Sequence, residues 1–303
     1  MNSSVRTESS GAPADALGTV ERQRRSEFSR TWGRFKRYKP GVVALVFLGF
    51  LSILAIIPGV FEPYSYTEIN LASRGEGPSW DHPMGFDMVG RDLLSRLIRG
   101  TRVAFLVGMS ATGIALTIGV TVGATAGYFG GKVDSILSRI VDSIMAFPLI
   151  VLLITLAAVV GPGVRTTVFV IGLTVWAQYA RVVRAEVLSV RERDFVTSAR
   201  SAGASDPRII FRHILPNVLG PVIVLASLAV GGIIILEAAL SFLGLGVQPP
   251  TPSWGGMLAD ARPFITTYPH MPIFPGLMIF LTVIAFNLLG DGLRDALDPR
   301  QRE

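Results

Sequence analysis

Few residues in this chain are suited to bond chemistry. There are three histidines, His82, His213 and His270, and no cysteine, so thiolate nucleophiles, disulfides and thiolate metal sites are excluded. None of the histidines opens an H-E-x-x-H pattern, which removes a zinc protease. The best approach to a phosphate-binding loop surrounds Gly131 and Lys132. Ala126 stands where its first glycine is needed, and Val133 where a hydroxyl would hold magnesium. The chain is therefore expected to be no enzyme and to hydrolyse no ATP by itself. Acidic groups inside apolar runs would suit an ion-coupled carrier, and only Glu237 comes near such a position, with Asp142 and Asp291 at run boundaries. Two readings stay open for Glu237: a boundary carboxylate hydrogen-bonded to a neighbouring helix or partner chain, or a gate or pathway group.

The elements that would position these groups are membrane helices. Half of the 303 residues are hydrophobic and 17% are charged. Charge-free runs cover Val42–Phe61, Val103–Gly127, Ser143–Gly161, Thr166–Ala180, Ile214–Leu236 and Met271–Gly290, each near the roughly twenty residues that cross a bilayer. Thr166–Ala180 is short, so Arg165 and Arg181 are expected to snorkel, and the helix to continue into water through Val190. With six spans and an inside N-terminus, the outer segments keep seven of the 28 basic residues: Arg74, Arg91, Arg96, Arg99, Arg102, Arg165 and Arg262. The positive-inside bias thus puts both termini in the cytoplasm, and the net charge of +6 reads as topology rather than nucleic-acid binding.

The expected organisation is a disordered cytoplasmic tail at 1–27, an interfacial helix at 28–41, a first span at 42–61 and an extracytoplasmic segment at 62–102. A core of five spans follows at 103–294, with a short cytoplasmic tail at 295–303. Phe28, Trp32 and Phe35 recur at helical spacing among Arg30, Arg34, Lys36, Arg37 and Lys39, which suits a helix lying on anionic lipid. The first span is of full length and lacks a small-residue cleavage pattern, against a cleaved signal peptide. Leu93, Leu94, Leu97 and Ile98 predict an amphipathic helix at the end of the outer segment, either packed on the bundle or docking a partner. Gly119, Gly123 and Gly127 fall at i, i+4 and i+8, a face for close approach of another helix.

Between the fourth and fifth spans lies a charged insert at 187–216. Val187–Ala202 has helical spacing, Gly203 suits a left-handed C-cap, Asp206 an N-cap with Pro207 behind it, and a second helix over Arg208–Leu215 should end at Pro216. The result is a helix, a glycine turn and a helix projecting into the cytoplasm, either a plain connector or a lever that transmits motion to a partner.

Here the sequence resembles a family. The insert looks like the EAA signature of bacterial ATP-binding-cassette importer permeases, E-A-A-x3-G-x9-I-x-L-P. Ala199, Gly203, Leu215 and Pro216 match it, while Thr197, Ser198 and His213 occupy its Glu, first Ala and Ile positions. "HPMGFDMVGRDLLSRLIRGTRVAF", "GYFGGKVDSILSRIVDSIMAFP", "LEAALSFLGLGVQPPTPSWGGML" and "NLLGDGLRDALDPR" are similar, in order, to the C-type permeases of dipeptide and oligopeptide (Dpp/Opp) importers. The resemblance implies an all-α integral membrane protein with six transmembrane helices in the type I importer permease (MetI-like) fold, in a bacterial or archaeal plasma membrane. It implies as partners a homologous B-type permease, two ATPase subunits that carry the ATP and magnesium, an extracytoplasmic solute-binding protein and membrane lipid. It further implies that the insert seats on an ATPase through Asp194, Thr197, Ser198, Ala199, Arg200, Gly203, Ala204 and Asp206. A secondary carrier, a membrane enzyme and a non-transporting scaffold are the competing classes. The first wants midplane ionisable groups in repeated broken helices, and the second a nucleophile or metal cluster.

The topology is tested with single cysteines at Ser205 and Ser73 in this cysteine-free chain. Ser205→Cys should react only from the cytoplasmic side and Ser73→Cys only from outside; labelling of both from outside intact cells would refute the six-span order.

Overall fold

The computed structural model describes residues 32–297. The tail at 1–27, the start of the interfacial helix at 28–31 and residues 298–303 lie outside the described residues. Residues 32–37 form a short helix. The main helices are α1 (Lys39–Ile56), α2 (Leu93–Phe129), α3 (Gly131–Met145), α4 (Leu149–Val160), α5 (Val164–Arg191), α6 (Asp194–Ser201), α7 (Asp206–Phe242), α8 (Trp254–Ala261) and α9 (His270–Leu297). Helices α1, α2, α5, α7 and α9 are each long and apolar enough to cross a membrane. A sixth span exists only if α3 and α4, bent by 82° at their junction, count together.

Local chemistry explains where the elements depart from the expected bounds. Helix α1 begins ahead of Val42 because Pro40 falls in its first turn, where a missing N–H costs nothing, and it ends before Pro58 rather than at Phe61. Helix α2 begins at Leu93, not Val103. The Asp92 carboxylate accepts the Ser95 amide at 2.7 Å, and this cap fuses the amphipathic stretch to the span as one helix of 37 residues. The Ser143–Gly161 run is not one continuous helix. Pro148 lacks the N–H to continue α3, so α4 restarts at Leu149 and has only 12 residues.

The insert is corrected at three points. Val187–Ala202 is not continuous: the chain turns at Glu192 and Arg193 between α5 and α6, which aims Val196 back into the core. Ser205, not Asp206, takes the N-cap position of α7, because the Asp206 carboxylate is engaged elsewhere. Nor does the second helix stop at Pro216. A π turn at Ile210–Ile214 widens the helix, with the Leu215 amide donating to the Ile210 carbonyl, and the proline ring is absorbed without a break.

The centre of the bundle is the contact of α2 with α5. A Cβ on Gly123 would lie 2.5 Å from the Ala180 carbonyl oxygen; on Gly119 it would lie 3.1 Å from that of Trp176, and on Gly127 2.9 Å from that of Arg184. The glycine face read from the sequence is thus filled by α5. Val107, Ala111, Ala115, Ile171 and Val175 continue the same seam, while α1, α7 and α9 close around Phe105, Val230, Ile234 and Phe286.

Gly123→Leu must push the two helices apart. It should destabilise the purified chain in detergent by roughly 1–3 kcal/mol, seen as a lower unfolding midpoint. Gly113→Leu, at a glycine with nothing within 4 Å, should leave the midpoint unchanged.

Candidate functional site

The bundle has two unlike ends. One carries the segment after α1 and the loops around α8. The other, called proximal below, carries the ends of α2 and α9 and the α5–α7 insert.

At the proximal end the insert stands on apolar feet. Val196 and Ile209 are fully buried with Val187, Val190, Ile214 and Val218, while Asp194, Thr197, Ser198, Arg200, Gly203 and Asp206 are exposed and Ala199 and Ala204 half-buried. The turn is a Schellman motif. The Ala204 amide donates to the Ala199 carbonyl at 3.1 Å and the Gly203 amide to that of Arg200 at 3.0 Å, with Gly203 at φ +79°. A side chain at Gly203 would meet open space, so its limit is conformational, not steric.

The insert is also tied to the end of α2. The Tyr128 hydroxyl donates to Asp206 at 2.6 Å, and the Arg200 guanidinium lies 5.7 Å from the centre of the same ring. Arg191 donates to the carbonyls of Gly127 and Tyr128 at 2.9 and 3.3 Å, serving the unpaired acceptors of the α2 C-terminus. Arg184 and Asp134 form a two-pronged pair from α5 to α3, with the second prong at 2.6 Å, and Arg181 meets Asp142 at 2.6 Å. Sequence reasoning missed Tyr128 and Arg191. Their only signal was position, since each ends a long helix next to the charged insert. It also missed Phe195 and Phe211, apolar side chains that stand 38% and 71% exposed beside the polar top of the insert.

Glu237 does not join this group. It lies near the far end of α7 and is completely buried. Its Oε1 accepts from Ser241 at 2.8 Å in the same helix, and its Oε2 has no hydrogen-bond partner among the described residues. Ser241 also accepts the Val247 amide at 3.1 Å, so Glu237 sits beneath the loop leaving α7, and the first turn of α8 is pressed so close to α7 that a Cβ on Gly255 would overlap the Ala238 carbonyl oxygen.

That far end is stiffly built. Asp92 caps α2 and holds His82 at 2.8 Å, Glu62 binds Arg99 at 2.7 Å, and Trp254 donates from Nε1 to the Leu97 carbonyl at 3.1 Å. Asp87 binds Arg91 at 2.7 Å and approaches the buried Arg96 at 3.5 Å, while Asp260 of α8 stands 3.7 Å from Arg91. Burial holds the Asp260 carboxyl above its ordinary value, against the pull of Arg96 and Arg91. Between the two ends, a cavity of about 280 Å³ opens at the α3–α4 bend beside Phe147, Pro148, Thr174 and Gln178. Another of about 360 Å³ lies between α5, α7 and α9, bordered by Glu186, Pro221 and Arg294.

Residues 119–303 match the family described as binding-protein-dependent transport system inner membrane component, and residues 26–78 match the N-terminal transmembrane domain of oligopeptide transport permease C. The chain is 42% identical over 277 residues to the dipeptide transport system permease protein DppC of Alkalihalophilus pseudofirmus, covering 91% of each chain. It is 43% identical over 279 residues to the glutathione transport system permease protein GsiD of Escherichia coli, covering 92% of each. Its fold is similar to a chain of the inward-facing MetNI methionine ABC transporter, with a TM-score of 0.56 and 17% identity, over 68% of this chain and 98% of that one.

Tyr128→Phe and Asp206→Asn should each loosen the insert, and the loss should not add. A double-mutant cycle on unfolding in detergent should give a coupling of about 1–3 kcal/mol, as for a hydrogen bond to a charged group. A coupling near zero would show that the 2.6 Å contact does not tie the insert to α2.

Proposed function

This chain belongs to the family of binding-protein-dependent transport system inner membrane components, and from that premise we propose that it is one of two homologous permease subunits of an ATP-driven importer of di- or oligopeptides or a related small solute. The observation that carries the reading is the insert itself: a Schellman-capped turn, polar on top, whose apolar feet and Tyr128–Asp206 bond fix it to the bundle. The relatives named for dipeptide and glutathione transport support the cargo class.

In this reading the proximal end faces the cytoplasm, both termini lie there, and the insert seats in a groove on an ATPase subunit. Its exposed residues Asp194, Thr197, Ser198, Arg200, Gly203 and Asp206 make the contact, with Ala199 and Ala204 at its base. Phe195 and Phe211 add apolar surface to that footprint. Closure of the two ATPases on ATP and magnesium pushes the insert. Because its feet are packed among side chains of α5 and α7, the push tilts those helices instead of bending a loop. The opposite end then opens toward a loaded solute-binding protein, and cargo enters a path shared with the second permease. This chain supplies shape and leverage. It contributes no nucleophile and no proton to a reaction.

The reading is tested at Gly203. Its φ of +79° makes a side chain cost on the order of 1 kcal/mol, and an aspartate there would also collide with the groove. Gly203→Asp should reach the membrane at the parent level, yet retain fewer ATPase subunits on purification or hydrolyse ATP without uptake. Ser3→Asp, outside the described residues, is the control and should do neither. Parental assembly and uptake by Gly203→Asp in matched membranes would leave the insert as a mere connector.

A further inference from the structure

Of the four tryptophans, one is held where it touches nothing. Trp254 is buried, and Trp80 stands 101% exposed at the tip of the segment between α1 and α2. It is not on a slack loop. The Ser79 amide donates to the His82 carbonyl at 2.9 Å, the His82 amide to the Ser79 hydroxyl at 3.0 Å, and the Tyr64 hydroxyl to the Asp81 carbonyl at 3.2 Å. The His82 ring lies between Tyr64 and Phe86, at 4.3 and 4.1 Å, and bonds the helix-capping Asp92. The turn that presents Trp80 is therefore clamped to the first turn of α2, and the indole is offered to solvent with its backbone already ordered. A preorganised aromatic of this kind suits a protein contact, because binding need not pay for ordering the loop.

The surroundings say which surface it meets. Trp32, 42% exposed, stacks on Phe35 with the Lys36 ammonium 5.4 Å from its ring, an aromatic and basic pairing suited to anionic lipid. Trp80 has a different setting: Asp81 follows it directly and Glu76 precedes it by four residues in the chain, both exposed, and carboxylates are repelled by an anionic lipid surface. An exposed indole next to an exposed carboxylate fits a soluble partner with an apolar pocket edged by Lys or Arg. We propose that Trp80, with Glu76 and Asp81, is a principal anchor on this chain for the extracytoplasmic solute-binding protein. The assignment rests on the importer reading above and adds the docking residues to it.

The test uses the complete complex in nanodiscs, titrated with the solute-binding protein of the same organism loaded with a dipeptide, with ATPase rate as the readout. Trp80→Ala should raise the half-maximal binding-protein concentration on the order of tenfold or more, with basal ATPase rate and subunit composition unchanged. Trp80→Phe should recover much of the loss. Glu76→Gln with Asp81→Asn should weaken docking at low salt and flatten its salt dependence. Since Trp80 packs against nothing, its truncation has no fold to disturb. An unchanged titration for Trp80→Ala overturns the assignment and leaves the importer reading intact. Loss of the second permease from the purified complex also overturns it, by giving Trp80 to that interface. Loss of membrane association of the residue without a titration shift gives it to lipid and overturns it likewise. If the parent complex shows no stimulation by binding protein at all, the importer reading falls and the assignment with it.

Discussion

The approach of two backbones at the α2–α5 seam is the constraint on which the remaining architecture depends. With no side chain at Gly119, Gly123 and Gly127, the helices meet through the carbonyls of Trp176, Ala180 and Arg184. Lipid tails are as apolar as leucine, so membrane helices gain little by hiding apolar surface and much by close packing. A contact this tight fixes the rotation of each helix as well as its distance. It thereby places Tyr128 at the Asp206 end of the insert, Arg191 under the last carbonyls of α2, and Arg184 against Asp134. Polar bonds at the proximal end are consequences of the seam and could not form in a different rotation of α2.

The same seam explains how a small insert could act as a lever. Val196 and Ile209 have no freedom to slide, since both are fully buried between α5 and α7. Displacement at the top must pass into the helices or break the cluster. At the far end the elements are tied as firmly but by other means: the Asp92 cap, the Trp254 bond to Leu97, and the loop pressed on Glu237. A bundle clamped at both ends and joined by so close an α2–α5 seam moves in whole helices, which suits tilting better than local flexing.

Much of this was legible in the sequence. Charge-free runs located the spans because burial in hydrocarbon forbids charge over a fixed length, and that rule needs no tertiary knowledge. The glycine spacing announced a packing face, though not that α5 would fill it. Gly203 announced a left-handed cap, and the Schellman bonds are there. What escaped has a common cause. Asp206 reads as an N-cap by local chemistry, yet its carboxylate serves Tyr128, which is 78 residues away. Pro216 reads as a stop, and a π turn that no local rule requires lets the helix run through it. Glu237 reads as a boundary carboxylate or a gate, and only the return loop and the start of α8, packed on its helix neighbours Ser241 and Ala238, show that it is fully buried.

The broken third span carries the argument one step beyond this chain. Helix α4 has 12 residues and reaches about 18 Å, against about 30 Å of hydrocarbon. The peptide groups at its junction with α3 leave the helical ladder at an 82° bend, and such groups are tolerated at membrane depth only beside protein or water. Phe147, Ile150, Val151 and Val159 remain exposed along the bend, and a cavity with Thr174 and Gln178 on its wall opens next to it. One side of the bundle is therefore unsuited to lipid by its backbone, not by its side chains, and a hydropathy scale cannot register that. In the importer reading proposed above, the second permease is what would cover it.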